Sequence, residues 1–371
     1  MKFLGLSAAA LLSLGTSAWA VGLDRSNQDI TAIFEDGNHL GLSFGYVMPQ
    51  VSGTDLFVPG VEYDGVAESF AQLGASLKLQ INPQLSAALI FDQPFGVDLL
   101  YPGDPAASMF GGTAGQLDSL ALTAMGRYEF SPNFSIHAGV RAERLSGDIT
   151  LSGLAFAGLT GYNVALEESD GFGYVVGAAY ERPDIALRLA VTYHSAITHE
   201  FNSIESVNGF VVNPGSTTTV QTPDAINIDF QTGIAPDTLL FGQIRHARYS
   251  QTIVSPDFFA ANTGGDSLTD IDDGTSYSIG VGRRFSDQFS ASITVGYEAS
   301  GDPLVSPLSP TNGTISVGVG GEYQLTDAFS IGAGVRYSML GDADPESGGV
   351  ARADFNDNSV IALGVQVGYS F

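Results

Sequence analysis

The sequence predicts an all-β chain: one transmembrane antiparallel β-barrel of 14 strands with a short N-terminal hatch segment. Three observations carry this prediction. Long stretches alternate apolar with small or polar residues, tight polar turns recur at near-constant spacing, and aromatic residues gather beside those turns.

The alternation comes first because it fixes the element type. Phe329, Ile331, Ala333, Val335 and Tyr337 alternate with Ser330, Gly332, Gly334, Arg336 and Ser338, and Ile361, Leu363, Val365, Val367, Tyr369 and Phe371 close the chain in the same way. Successive side chains on a strand point to opposite faces, so each stretch has one apolar face and one small or polar face. The 3.6-residue stripe of an amphipathic helix is hard to find anywhere along the chain. Stretches of a dozen residues or so exceed the roughly 9–11 needed to cross a bilayer with tilt.

The turns set the strand number. They fall at Asn82–Gln84, Ser131–Asn133, Arg182–Asp184, Ala235–Asp237, Ser286–Gln288 and Thr326–Ala328. Six tight turns, with both termini on the turn side, imply fourteen strands. Seven longer links are expected near 49–65, 93–114, 148–170, 202–222, 254–273, 302–311 and 341–357. Short turns on one side and long loops on the other are the asymmetry of an outer-membrane barrel. Tyr128, Phe130, Phe134, Phe285, Phe289, Tyr323, Phe329, Tyr369 and Phe371 sit beside the turns or the terminus, where an interfacial girdle belongs.

Residues 1–20 read as a secretory signal peptide: Lys2, an apolar run, then Ala18-Trp19-Ala20 as a small-x-small cleavage site. Residues 21–38 are then the hatch or plug segment and 39–371 the barrel, which places the protein in the cell outer membrane as a multi-pass barrel. The 371 residues carry 14 Lys and Arg against 40 Asp and Glu, and no Cys. So acidic a chain is no nucleic-acid binder, because phosphate neutralisation needs clustered basic residues. The missing Cys excludes disulfides, Cys-ligated zinc and thiol catalysis, and the five His show no metal-binding spacing. No catalytic constellation emerges either: His194 and Ser195 are adjacent and therefore face opposite sides of a strand. No cofactor and no metal are expected.

At this point the chain resembles the FadL/TodX family of outer-membrane transporters for long-chain fatty acids and other hydrophobic molecules. The resemblance rests on Gly22-Leu23-Asp24-Arg25-Ser26, on 32–38 (Ala-Ile-Phe-Glu-Asp-Gly-Asn) and on 42–47 (Leu-Ser-Phe-Gly-Tyr-Val). It continues at Pro94-Phe95-Gly96 inside the third strand, Thr222-Pro223-Asp224 entering the eighth, and Gly301-Asp302-Pro303-Leu304 after the eleventh. It implies a barrel plugged by an N-terminal hatch, ligand capture by extracellular loops, and sideways exit into the membrane at a kinked third strand. The family's Asn-Pro-Ala hatch signature is absent; the stretch here reads Phe34-Glu35-Asp36-Gly37-Asn38.

The candidate site follows in three parts. Pro94 cannot donate to a ladder and Gly96 weakens one, so Asp92, Gln93, Pro94, Phe95 and Gly96 form a candidate lateral portal, unless the strand ends near Phe91. Ile30, Ile33 and Phe34 of the hatch are candidates to meet an acyl chain. Alternation turns Arg127, Arg141, Arg188, Arg284 and Arg336 into the lumen, and Arg141, Arg188 and Arg336 are candidate ligands for a carboxylate. Pairing with lumenal Glu129, Glu143, Asp229, Glu298 and Glu322 is their structural alternative.

Leu154, Phe156, Leu159 and Tyr162, with Val254, Phe258, Phe259, Leu268 and Ile271, form either an apolar capture groove or loops packed on one another. The acidic loops suit a surface where divalent cations bridge to lipopolysaccharide. The function expected is passive uptake of long-chain fatty acids or similar hydrophobic molecules, such as aromatic hydrocarbons, through a lateral opening. The alternative is a general porin or small-solute channel. Expected partners are the hydrophobic ligand, outer-membrane lipid and lipopolysaccharide, and the barrel assembly machinery that reads the terminal Phe371.

Overall fold

In the computed structural model, residues 23–371 are described; the expected signal peptide lies outside the described residues. Fourteen strands close into one antiparallel barrel. They are β1 His39–Gln50, β2 Phe70–Asn82, β3 Leu85–Asp92 resumed as Gly96–Leu100, β4 Ala114–Ser131, β5 Phe134–Leu151, β6 Tyr162–Arg182 and β7 Leu187–His194 resumed as Ile197–Val207. Then come β8 Phe210–Thr222 resumed as Ala225–Ala235, β9 Thr238–Ala247, β10 Gly274–Arg284, β11 Phe289–Glu298, β12 Thr314–Gln324, β13 Phe329–Leu340 and β14 Ser359–Ser370. Closure is made by β1 against β14, with His39 opposite Ser370 and Gln50 opposite Ser359.

All six expected turns connect consecutive strands. Their chemistry is local. Asn82 Oδ1 accepts the N–H groups of Gln84 and Leu85 at 2.9 and 3.0 Å, and the hydroxyls of Ser286 and Thr326 accept from Phe289 and Phe329 at 3.0 and 3.1 Å. Such side chains imitate a backbone turn and fix the two-strand register. The outward faces are apolar, as at Leu42, Phe44, Ile293, Val295, Val317 and Val365, and the girdle residues Phe130, Phe134 and Phe285 are among the exposed aromatics. Lipid is the solvent those faces were selected for.

One expected loop is strand instead, and another is shortened by strand at both ends. Link 202–222 is a hairpin of β7 and β8 whose two-residue turn, Asn208 and Gly209, has φ of 49° and 78°. Positive φ at both positions is the geometry that Asn-Gly supplies, and that dipeptide was present to be read. Link 148–170 shrinks to 152–161, because β5 runs on to Leu151 and β6 begins at Tyr162. Thr222-Pro223-Asp224 consequently interrupts β8 midway, facing the break at Ser195-Ala196 in β7, since Pro223 has no N–H for the ladder.

Strands β4 to β8 therefore rise well beyond the others, and the extracellular links pack on them. Tyr63, Tyr101, Phe110 and Phe355 are fully buried there, and a short helix, α1 Asp257–Thr263, lies in the link after β9. Glu205 Oε1 and Oε2 accept the N–H groups of Phe258 and Phe259 at 2.9 and 3.0 Å, seating α1 on β7. Alternation alone could not reveal so short a helix.

Candidate functional site

The hatch, Leu23 to Asn38, threads the lumen and is held from two sides. On one side Asp24 accepts from Arg245 Nε at 2.7 Å and from the Tyr249 hydroxyl at 2.8 Å. Arg245 also donates to Asn227 at 2.9 Å and to Gln28 at 3.2 Å, while Asn227 donates to the carbonyl of Asn27 at 2.9 Å. Arg245 and Asp24 are both buried, and such a pair holds only where its remaining donors are met, as they are here.

On the other side the hatch replaces a strand neighbour of β3. The β2–β3 ladder runs from Asn82 opposite Leu85 to Ala75 opposite Phe91 and stops, so Phe70 to Gly74 have no β3 partner. At Gln93, Pro94 and Phe95 the chain turns inward. Arg25 N–H donates to Pro94 C=O at 2.8 Å, Gly96 N–H donates to Leu23 C=O at 2.9 Å, and Asp24 pairs with Phe95. Phe95 N–H donates to Ser119 Oγ at 2.8 Å. β3 resumes against β4 with Gly96 opposite Asp118. The result is a gap in the wall between β2 and β3, edged by the proposed portal residues.

That edge is made polar from within. Gln93 Oε1 accepts the backbone N–H of Leu73 at 2.8 Å, and Gln72 donates to the Arg25 carbonyl at 2.7 Å. Asp92 accepts from Ser26 of the hatch at 2.6 Å and from Arg141 Nη2 at 2.8 and 2.9 Å. Behind Arg141 stand Glu143 at 3.8 Å and, from Glu143, His199 at 3.2 Å. Backbone left open at membrane depth is tolerated where such groups cover it.

Two cavities meet at this place. One, of about 70 Å³, is almost wholly apolar and is lined by Leu23, Phe95, Val97, Leu117, Leu145, Ile149, Leu166, Phe201 and Val220, with Val254, Ile271 and Leu308 from the loops. The other, of about 240 Å³, is lined by Arg25, Ser26, Asp29, Gln72, Leu73, Gly74, Phe91, Asp92, Asp229 and Arg336. The short pairing of 23–25 with 94–96 stands between them, since Leu23 and Phe95 line the first and Arg25 the second.

The sequence-derived candidates divide accordingly. Asp92 to Gly96 lie together at the gap. Ile30, Ile33 and Phe34 pack against Ala88, Ile90, Met125, Val175, Ala179 and Ala190 of the wall. Phe34 lies edge-on to His137 at 5.6 Å and beneath Arg127 and Arg188 at 4.8 and 4.6 Å; these three hatch residues pack on the wall and line neither cavity.

Arg141 is engaged by Asp92, Arg188 donates to Gln231 at 2.9 Å, and Arg336 lines the larger cavity. Phe258 and Phe259 pack on Tyr162 at 6.3 and 5.5 Å, and Phe156 on Phe110 at 5.8 Å, with Leu159 against the same cluster. Of the residues lining the apolar cavity, Phe95, Val254 and Ile271 are among the sequence-derived candidates, whereas Leu145, Ile149, Leu166, Phe201 and Val220 are not, although they occupy inward positions where an aqueous pore would carry polar side chains. Arg245, the hatch's main anchor, was missed too.

A barrel of this strand number, plugged by its own N-terminal segment and broken at one seam beside an apolar cavity, belongs to the class of outer-membrane transport proteins. The sequence profile of the outer membrane protein transport protein family (OMPP1/FadL/TodX) matches residues 70–371, and the chain belongs to that family. Among solved structures it resembles a FadL homologue of Pseudomonas aeruginosa (14% identity, 96% of this chain and 98% of that one, TM-score 0.72). It also resembles the toluene transporter TodX of Pseudomonas putida (14% identity, 98% of each chain, TM-score 0.67). A third is the toluene transporter TbuX of Ralstonia pickettii (12% identity, 100% and 99%, TM-score 0.66). At such identities the likeness establishes the fold. No curated protein sequence matches the chain.

Proposed function

We propose that this chain takes up hydrophobic molecules, fatty acids or aromatic hydrocarbons, by passive diffusion, and that they leave sideways between β2 and β3. The observation that carries the reading is the apolar cavity behind the broken seam, separated from the gap only by the short pairing of 23–25 with 94–96, with Leu23 and Phe95 in its wall. Each methylene moved from water into hydrocarbon gains roughly 0.8 kcal/mol, so a ligand that reaches the seam needs no further energy source to enter the membrane.

The cavity also says what must move. A benzene ring occupies an engineered apolar cavity of about 150 Å³, whereas this one is about 70 Å³. Ligand capture therefore enlarges it, and the pieces free to give way are the links carrying Val254, Ile271 and Leu308 and the hatch residue Leu23. The outward apolar band sits in outer-membrane lipid, and the acidic links face lipopolysaccharide.

The porin alternative is disfavoured by the hatch, whose buried Asp24, Asn27, Gln28, Ile33 and Phe34 fill the lumen. Conductance in planar bilayers tests this: the plugged transporter gives small or absent currents, and a large steady conductance favours the porin. Uptake of labelled hydrophobic ligand in cells lacking their own transporter tests the substrate class.

A further inference from the structure

Arg25 is the only basic residue between Leu23 and Asn38. Its guanidinium lies in the β2–β3 gap itself. Cζ stands 3.9 Å from the ring centroid of Phe70 on β2, and on the β3 side the group fills the space in which a side chain at Gly96 would begin. The residue is 9% exposed, and among the described residues its Nε has no hydrogen-bond partner. Buried N–H groups of charged side chains are nearly always met, because leaving one unmet costs more than for a neutral group. Burial lowers the Arg25 pKa from its ordinary value by desolvation, and Asp118 and Asp98 oppose this only in part, from a distance.

The other buried arginines near the hatch each have a side-chain acceptor, although Arg141 Nε, like Arg25 Nε, has no hydrogen-bond partner among the described residues. Arg141 is held by Asp92, Arg245 by Asp24, Arg127 by Glu181, and Arg188 by Gln231. Arg25 instead faces the larger cavity, two residues along the chain from Leu23 in the apolar one.

We propose that Arg25 is the anion-reading residue of the exit, holding the carboxylate of an amphipathic ligand whose hydrocarbon tail enters the gap along Phe70 and Leu73. The site takes a single carboxylate on an unbranched tail in preference to an uncharged hydrocarbon. A planar guanidinium stacked on an aromatic face presents its edge for a two-point carboxylate contact. The inference rests on the uptake reading above and refines its substrate class.

The test is uptake of radiolabelled hexadecanoate and of radiolabelled hexadecane by cells lacking their own transporter and carrying the full chain. Arg25→Gln is expected to lower hexadecanoate uptake about tenfold, the scale of one lost charge-assisted contact, while hexadecane uptake stays within about twofold. Arg25→Lys, which keeps the charge without the planar edge, should fall between. Heat-modifiable gel migration checks that each variant is folded, and Arg336→Gln is the control in the same cavity.

If both probes fall together, Arg25 serves the hatch structurally and the proposal is overturned. It is equally overturned if neither probe changes, or if Arg336→Gln alone removes hexadecanoate uptake. A wild type that carries hexadecane but no hexadecanoate overturns the carboxylate class and leaves hydrophobic uptake standing. Should it carry neither, the uptake reading fails and this inference falls with it.

Discussion

Gln93 accepts the backbone N–H of Leu73 through its side-chain Oε1 at 2.8 Å, at the point where an unbroken β2–β3 ladder would set these two residues opposite each other. A side chain thus stands in for the missing strand partner. The bond satisfies a backbone donor at the seam without restoring the ladder, which is what the proposed lateral exit requires.

Gln93→Leu keeps the volume and removes the acceptor. The Leu73 N–H then lacks its partner at the edge of the barrel, a loss of about 1–3 kcal/mol. Urea unfolding of the variant in lipid vesicles should show that decrease, and an unchanged midpoint would mean that another group replaces the amide.

Gly96→Val acts on the hatch. A Cβ at this position overlaps the guanidinium of Arg25, so the side chain of Arg25 must leave the gap or β3 must shift. Replacing Pro94 and Gly96 by Val therefore does more than restore pairing along β3, since Pro94 and Gly96 already bond to Arg25 and Leu23. Reduced uptake with normal heat-modifiable migration is expected. Uptake equal to wild type would show that ligand does not pass this point.

Arg245→Leu leaves Asp24 buried with only the Tyr249 hydroxyl and the Asn27 N–H as donors. Removing one partner of a buried ion pair costs about 3–5 kcal/mol, which the hatch can avoid by leaving its seat. Planar-bilayer recordings should then show channel openings that the wild type lacks. Silent recordings would place the hatch's hold elsewhere, in the Ile30, Ile33 and Phe34 cluster.

The extracellular packing carries an acid sensitivity. Burial alone would raise the Asp55 carboxyl, but N–H donors from Met109, Val58 and Phe57 and the Tyr63 hydroxyl, at 2.7–2.8 Å, hold it below its ordinary value. A carboxyl depressed on folding stabilises above its unfolded pKa, and that stabilisation is lost as pH falls through the lower folded value. Protease cleavage of links 51–69 and 101–113 should accelerate only at strongly acid pH, assayed with an acid-active protease. In Asp55→Asn that dependence should be absent; its persistence would assign it to another group.

The barrel was legible because period-two alternation and turn chemistry are local: Ser286 and Thr326 close their turns with their own hydroxyls, and Phe329 to Tyr337 display their faces in sequence. The seam was legible for a similar reason, since Pro94 removes a ladder donor wherever it stands. What the sequence hid is the partner that β3 acquires there. Arg25 and Leu23 meet Pro94 and Gly96 across some 70 residues of chain, and no pattern near either segment encodes that pairing. Apolar residues such as Ile33 and Phe34 in a lumen suggest a ligand contact. A plug needs the same residues to seat itself, and only the surrounding Ala88, Met125 and Val175 distinguish the two roles. The length of β7 and β8 was underestimated where Asn208-Gly209 was read as part of a loop.

Lateral exit is tested most directly by a reversible cross-link over the seam. The chain has no Cys, so Leu73→Cys with Gln93→Cys introduces a single pair at the positions an unbroken ladder would set opposite each other, and a disulfide requires their Cα atoms to come within about 7 Å. The measurement is uptake of labelled ligand by cells carrying this variant, oxidised and then reduced. Lateral exit predicts that oxidation abolishes uptake and reduction restores it. Equal uptake by the fully cross-linked and the reduced protein would contradict it and direct the ligand past Ile33 and Phe34 to the periplasm.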